Sequence, residues 1–181
     1  MKIIHWYLEL KISHLYADMD NLDHIQALWA KQMPELDTHS MALIGRLQLV
    51  YKHMTQTMSQ TFRRYGLTDA GFDVLATLLR SGPPHTLTPT QLLEQMLVTS
   101  GSMTSRLNSL EKQGLIRREV SEDDRRGRQV ALTKKGRTVI EKVMAHHVAT
   151  QDNLLSVLNE REKTQLIRLL RGYLARTTSD H

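Results

Sequence analysis

Residues 115–133 read LIRREVSEDDRRGRQVALT. Leu115 to Val120 mixes apolar and charged side chains with the short β-rich character of a strand, and Arg128 to Leu132 returns the same way. Between them Ser121 to Gly127 is a charged tip. A plain polar turn needs no arginines, yet Arg125, Arg126 and Arg128 fall within four residues. An extended hairpin carrying them can insert a guanidinium into a narrow minor groove of DNA. Asp124 and Arg126 stand two apart, so on extended backbone they share a face and Asp124 can hold Arg126 in one rotamer. An ordinary charged turn is the other reading of the same residues.

Upstream of this hairpin the chain reads as two short helices. The first begins at Pro89, where a proline is tolerated because that N–H has no helical partner, and runs to about Leu97. Val98 to Gly101 turns, and Ser102 to Gln113 forms the second, with Met103, Leu107 and Leu110 inward and Gly114 as its stop. Its outer side carries Thr99, Ser100, Ser102, Thr104, Ser105, Arg106 and Asn108. Small hydroxyls approach base edges and phosphates closely, and one arginine takes guanine through two hydrogen bonds. A solvated helix with weak helix formers at its start is the alternative. Helix, turn, helix and hairpin in succession make a winged helix-turn-helix.

Further out the pattern is helical throughout. Asp20 to about Lys31 places Leu22, Ile25, Leu28 and Trp29 on one side, closed by Pro34. Thr38 to Tyr65 repeats apolar residues in steps of three and four, and Gly66 ends it. Thr68 caps a third helix with Phe72, Leu75, Ala76 and Leu79 inward, ended by Ser81-Gly82-Pro83-Pro84. His85 to Thr88 has room only for an edge strand or a turn. Thr133 caps a long helix to about Leu158, and Asn159 with Glu162 resembles the capping box of a last helix to about Ala175. The fold class is mainly α with a small β-wing.

Composition agrees with packed helices. The 181 residues are 40% apolar but only 5% aromatic, with 4 prolines and 9 glycines to interrupt helices. Net charge is +5, and its basic residues crowd between Arg106 and Arg137. Cysteine is absent, which removes disulfides and thiolate chemistry and suits a reducing, cytoplasmic setting. No apolar run approaches the ~20 residues of a membrane span. Residues 1–18 read as an N-terminal appendage, with Met19 as an alternative start.

Leu115-Ile-Arg-Arg, Asp124-Arg125-Arg126 and Val130-Ala-Leu-Thr-Lys-Lys-Gly136 together resemble the wing and exit of MarR-family regulators. The resemblance spans roughly residues 20 to 175. It implies an obligate homodimer through the N- and C-terminal helices, with each subunit offering one winged helix to a palindromic operator in double-stranded DNA. On that basis residues 19–67 carry dimerisation and a ligand pocket, 68–136 the DNA-binding domain, and 137–181 further dimerisation helices. It assigns minor-groove insertion to Arg126 and its orientation to Asp124.

The extra first helix with Trp29, Gly71-Phe72-Asp73-Val74-Leu75 and Ser102-Met-Thr-Ser-Arg106-Leu107 are similar to the urate-responsive (PecS and HucR type) branch of that family. The resemblance implies a ligand site at Trp29, Asp73, Arg106 and Arg118, and a histidine of that site falls here at Tyr51. A purine or phenolic anion suits such a site: Trp29 stacks, Arg106 neutralises charge, and Asp73 reads or repels it. The function implied is a ligand-released, sequence-specific regulator, expected to repress. Each of these residues also has a structural reading: Trp29 as core, Asp73 as a helix N-terminal acid, Arg118 as a strand residue, Arg106 as a DNA contact alone.

Metal and catalysis find little support. His146 and His147 point about 100° apart on a helix, and His39 and His53 stand about 20 Å apart by helical rise. No G-x-S-x-G, P-loop or H-E-x-x-H pattern occurs, and neither cofactor nor metal is called for. The competing class is a non-specific architectural DNA binder or partner-binding adaptor on the same scaffold. The arginine-rich tip separates the two. Arg126→Ala is expected to weaken operator binding by ~1–3 kcal/mol while the protein stays folded; an unchanged affinity in a titration of labelled duplex would mean the wing is idle.

Overall fold

The computed structural model of the chain describes residues 20–96, 103–120 and 128–177. The appendage expected at 1–18, the turn at 98–101 and the hairpin tip at 121–127 lie outside the described residues. The elements are α1 Asn21–Gln32, α2 His39–Arg63, α3 Asp69–Arg80, β1 Thr86–Leu87, α4 Pro89–Gln95, α5 Met103–Lys112, β2 Ile116–Val120, β3 Arg128–Leu132, α6 Lys134–Leu154 and α7 Glu160–Thr177. The chain is mainly helical, with one small antiparallel sheet. It forms two compact units that divide between Thr55 and Gln56, inside α2.

In the first unit, Asp20 caps α1 by accepting from the amides of Leu22 and Asp23, at 2.8 and 3.1 Å. Asp23 accepts in return from the Asp20 amide at 2.9 Å, completing a capping box. Arg46 reaches from α2 to both carboxylates and holds the Asp20 carboxyl below its ordinary range. Gly45 admits the Leu22 side chain, which lies 2.6 Å from where a Cβ would stand. Little else is enclosed. No residue of α1 is buried, and Leu43, Ile44, Leu47, Leu49 and Val50 of α2 are all exposed.

The second unit has a dense core. Val74, Leu75 and Leu78 of α3 are wholly buried, as are Leu92, Ile140 and Val143. Each such side chain contributes roughly 1.5–3 kcal/mol by leaving water. The α3 helix is enclosed on more sides than one apolar stripe predicts, because α4, α5, α6 and β3 all pack on it. Phe72, Ala76 and Leu79, expected as its inward face, are partly buried at the edge of that core. Phe62 of α2 stacks on Phe72 with ring centroids 4.0 Å apart, and the His147 ring of α6 leans on both.

The sheet order is β1-β3-β2. His85–Thr88 supplies a two-residue strand, with Thr86 opposite Ala131 and Leu87 opposite Val130. Ile116 faces Leu132 and Arg118 faces Val130 across the hairpin. Gly66 and Gly114 carry positive φ at the ends of α2 and α5, as their positions predict. Thr133 caps α6 by accepting from the Gly136 amide at 2.9 Å. The α6 helix stops at Leu154, short of Leu158, because Leu155 to Leu158 close a separate turn in which Leu158 donates to the Leu155 carbonyl. The Asn159–Glu162 capping box forms as expected, at 2.8 and 3.0 Å.

Two outcomes follow from this packing. A Cβ on Gly136 would fall 1.9 Å from the Leu115 carbonyl oxygen, so Gly136→Ala must push α6 off the base of the hairpin. A loss of at least about 2 kcal/mol is expected in a denaturant titration, and an unchanged midpoint would refute the close approach. Burial holds the His147 imidazole below its ordinary range, and its Nδ1 is enclosed without a hydrogen-bond partner. The unfolded chain therefore binds more protons than the folded one below the ordinary value of about 6.5. The contribution of neutral His147 is present above that pH and is lost as pH falls toward the depressed folded value. Stability measured across that range should decline on acidification, and His147→Phe should flatten the decline.

Candidate nucleic-acid interface

Thr88 begins the two-helix unit with a capping box: its hydroxyl accepts from the Gln91 amide and its amide donates to the Gln91 side chain. Pro89 occupies the first turn of α4, where its missing N–H is without cost. On α5, Leu107 and Leu110 are buried and Met103 packs against the core. That fixes the roll of the helix and leaves Thr104, Ser105 and Asn108 exposed along its outer side. A short helix presenting hydroxyl and amide groups, backed by an apolar core and followed by a hairpin, can seat in a major groove.

Arg106 behaves differently from its neighbours. It is half-buried and lines a small cavity of about 30 Å³ with Leu67, Thr68, Gly71 and Leu110, under the start of α3. Arg118 lines another cavity, about 290 Å³, whose walls are Pro89, Leu93, Met103, Thr104, Leu107 and Val130. The Arg118 guanidinium donates to Asn108 Oδ1, and its enclosed Nε makes no hydrogen bond but lies 3.6 Å from Glu111 Oε2. The slot is mostly apolar, with one ion-paired arginine at its edge. Arg106 and Arg118 thus line separate cavities.

The remaining predicted ligand residues are distributed across both units. Asp73 is half-buried, early in α3 of the second unit. Trp29 and Tyr51 belong to the first unit and are exposed, Tyr51 by 71%. Thr99, Ser100, Ser102, Asp124, Arg125 and Arg126 lie outside the described residues, and of Arg128 only the backbone, paired with Val120 in the sheet, is described. A more open groove of about 590 Å³ runs past Arg64, Tyr65 and His146, and none of its lining residues comes from α4, α5 or the sheet. Among the described residues no group of three or more His, Asp or Glu is placed to hold a metal, and no helix is long and apolar enough to cross a membrane.

The comparisons with known proteins agree on one family. The model of the MarR family matches residues 65–127. The transcriptional regulator PecS of Dickeya dadantii is 37% identical over 142 residues, covering 78% of this chain and 86% of that protein. This chain belongs to the MarR family. Its likeness to PecS places it with the PecS-type regulators, and its matched relatives are DNA-binding transcription regulators rather than enzymes.

Solved MarR-family structures carry the same fold. A mutant MarR of E. coli, crystallised with operator DNA, is 25% identical with a TM-score of 0.62, covering 81% of this chain and 98% of that one. BpsR of Bordetella bronchiseptica, whose DNA binding is regulated by 6-hydroxynicotinic acid, is 22% identical with a TM-score of 0.61, covering 82% and 96%. Within this MarR-family scaffold, sequence reasoning did not single out Asn108 and Glu111 as partners of Arg118. A period-two signal was available: Ile116 and Arg118 share a face of β2, and Ile116 is buried. Arg117, on the opposite face, pairs instead with Glu119.

Proposed function

We propose that this MarR-family protein is a dimeric repressor that binds a palindromic operator and is released by a small aromatic anion, of the urate, purine or phenolic kind. Residues 68–136 read DNA, with α5 in the major groove and Arg126, braced by Asp124, in the minor groove. Thr104 and Ser105 approach bases or phosphates from α5, and Arg125 and Arg128 add charge from the wing. Residues 19–67 and 137–181 join two copies. The exposed Leu166, Ile167, Leu169, Leu170, Tyr173 and Leu174 of α7 support that role, since a monomer rarely leaves such a face in water. A regulator of this kind works in the cytoplasm, where its DNA is.

The observation that carries effector control is the cavity beside Arg118. Met103, Thr104 and Leu107 of its wall belong to the reading helix itself. An anion that takes the place of Glu111 beside the Arg118 Nε, which makes no hydrogen bond of its own, therefore presses on the element that touches DNA. The two bindings then oppose each other by the same coupling energy. The 6-hydroxynicotinate control of BpsR fits an aromatic anion as the class. Trp29, Tyr51, Asp73 and Arg106 are the further positions that the family resemblance assigns to the response, with Trp29 suited to stacking.

Binding should be compared between a palindromic fragment from the protein's own promoter and random duplex across a salt series. Preference for the palindrome is expected, and equal affinity for both would sink specific regulation. Urate, other purines, phenolics and hydroxynicotinate are then titrated into the complex. Release by at least one is expected, with Trp29→Ala blunting it; a complex untouched by the whole panel refutes the effector.

A further inference from the structure

Arg118 stands on β2, but its charge is spent on α5. One guanidinium nitrogen, Nη2, donates to Asn108 Oδ1 at 2.5 Å, and Nε lies 3.6 Å from Glu111 Oε2. Asn108 and Glu111 are three apart on α5, so they lie one above the other on one side of the helix. A single side chain from the wing strand therefore spans a turn of the reading helix. The Arg118 side chain is only 24% exposed, and a guanidinium so placed is poorly free to chase a phosphate. Asn108 is committed as well. To read adenine through two hydrogen bonds it must turn Oδ1 toward the base N6 amino group, and here the hydrogen bond from Arg118 fixes where that oxygen points, toward the wing strand.

We infer that Arg118, Asn108 and Glu111 form a clasp that sets the angle between the reading helix and the wing, and that Asn108 is a positioning residue rather than a base reader. The core sets which face of α5 points inward through Leu107 and Leu110, but apolar contacts are non-directional and do not by themselves hold its angle to the wing strand. A charge-assisted hydrogen bond to the neighbouring strand removes that freedom directionally. Both half-molecules of the interface then present a fixed relation between major-groove helix and minor-groove hairpin. The inference rests on α5 being the DNA-reading helix, and it needs no effector.

The test uses full-length protein and a duplex selected by the wild-type protein from a random pool. Asn108→Ala, Arg118→Gln and the double variant are titrated against that duplex, against its single-base substitutions and against unselected duplex, with thermal melting to confirm folding. The clasp predicts that each single change weakens the selected site by about 5- to 20-fold, that the double change adds little further, and that base preferences stay in place. Arg118→Lys, which keeps a donor on the strand, should lose less than Arg118→Gln. Additive losses would overturn the clasp, as would a preference shift at one base pair in Asn108→Ala alone. So would a salt slope lowered by about one in Arg118→Gln with Asn108→Ala silent, since that marks Arg118 as a phosphate contact. If wild-type protein selects no sequence at all, the assignment of α5 as reader fails instead.

Discussion

A close approach joins the hairpin base to the helix that leaves it. The Leu115 carbonyl accepts from the Thr133 amide at 3.2 Å and sits where any side chain on residue 136 would have to begin. Thr133 meanwhile donates its hydroxyl to the Gly114 carbonyl at 2.7 Å and caps α6 at the Gly136 amide. The end of α5, the start of β2 and the start of α6 are therefore one knot, in which Gly114 turns the chain with a positive φ and Gly136 leaves the room. Nothing in it can shift alone. A tilt of α6 is handed to the base of the hairpin and to the C-terminal end of α5 together, since interiors packed this closely move in steps rather than bend.

Much of this arrangement was legible because the chain marks its own corners. Gly66, Thr68, the Thr88-Pro89 pair, Gly114, Thr133 and the Asn159–Glu162 box each have a local physical reason to stop or start a helix, and each does so. Two features were not marked. The Leu155–Leu158 run continues an apolar pattern that helix periodicity cannot tell from more helix. The turn there is closed by contacts such as Ser156 Oγ to the Asn153 carbonyl at 2.7 Å. The division at Thr55 and Gln56 falls inside the continuous helix α2, where no breaker residue could announce it.

Of the candidate site, the outward face of α5 was legible, but the placement of its arginines was not. Small polar residues on α5 implied an outward face, and Thr104, Ser105 and Asn108 occupy one. Arg106 was grouped with them, yet it stands three after Met103 and four before Leu110. Those intervals set it beside the apolar stripe, and it is half-buried accordingly. Arg118 likewise follows Ile116 inward by strand alternation. The slot beside it could not be read ahead, because Pro89, Leu93 and Val130 come from separate elements that only tertiary packing brings together with α5.

Symmetry decides how much these small displacements matter. In the proposed dimer, the exposed apolar faces of α2 and α7 leave water against a second copy, and an isologous interface repeats every contact about a two-fold axis. Two α5 helices then meet two half-sites at a spacing set by the protein. Once the first half-site is engaged, the second binds within one molecule, and its gain depends on whether that spacing matches the DNA. A rotation of α5 too small to abolish one contact is applied twice and also changes the span between readers. In that proposed dimer, rigidity at Gly136 and at the proposed Arg118 clasp would convert a modest local push into loss of both half-sites at once.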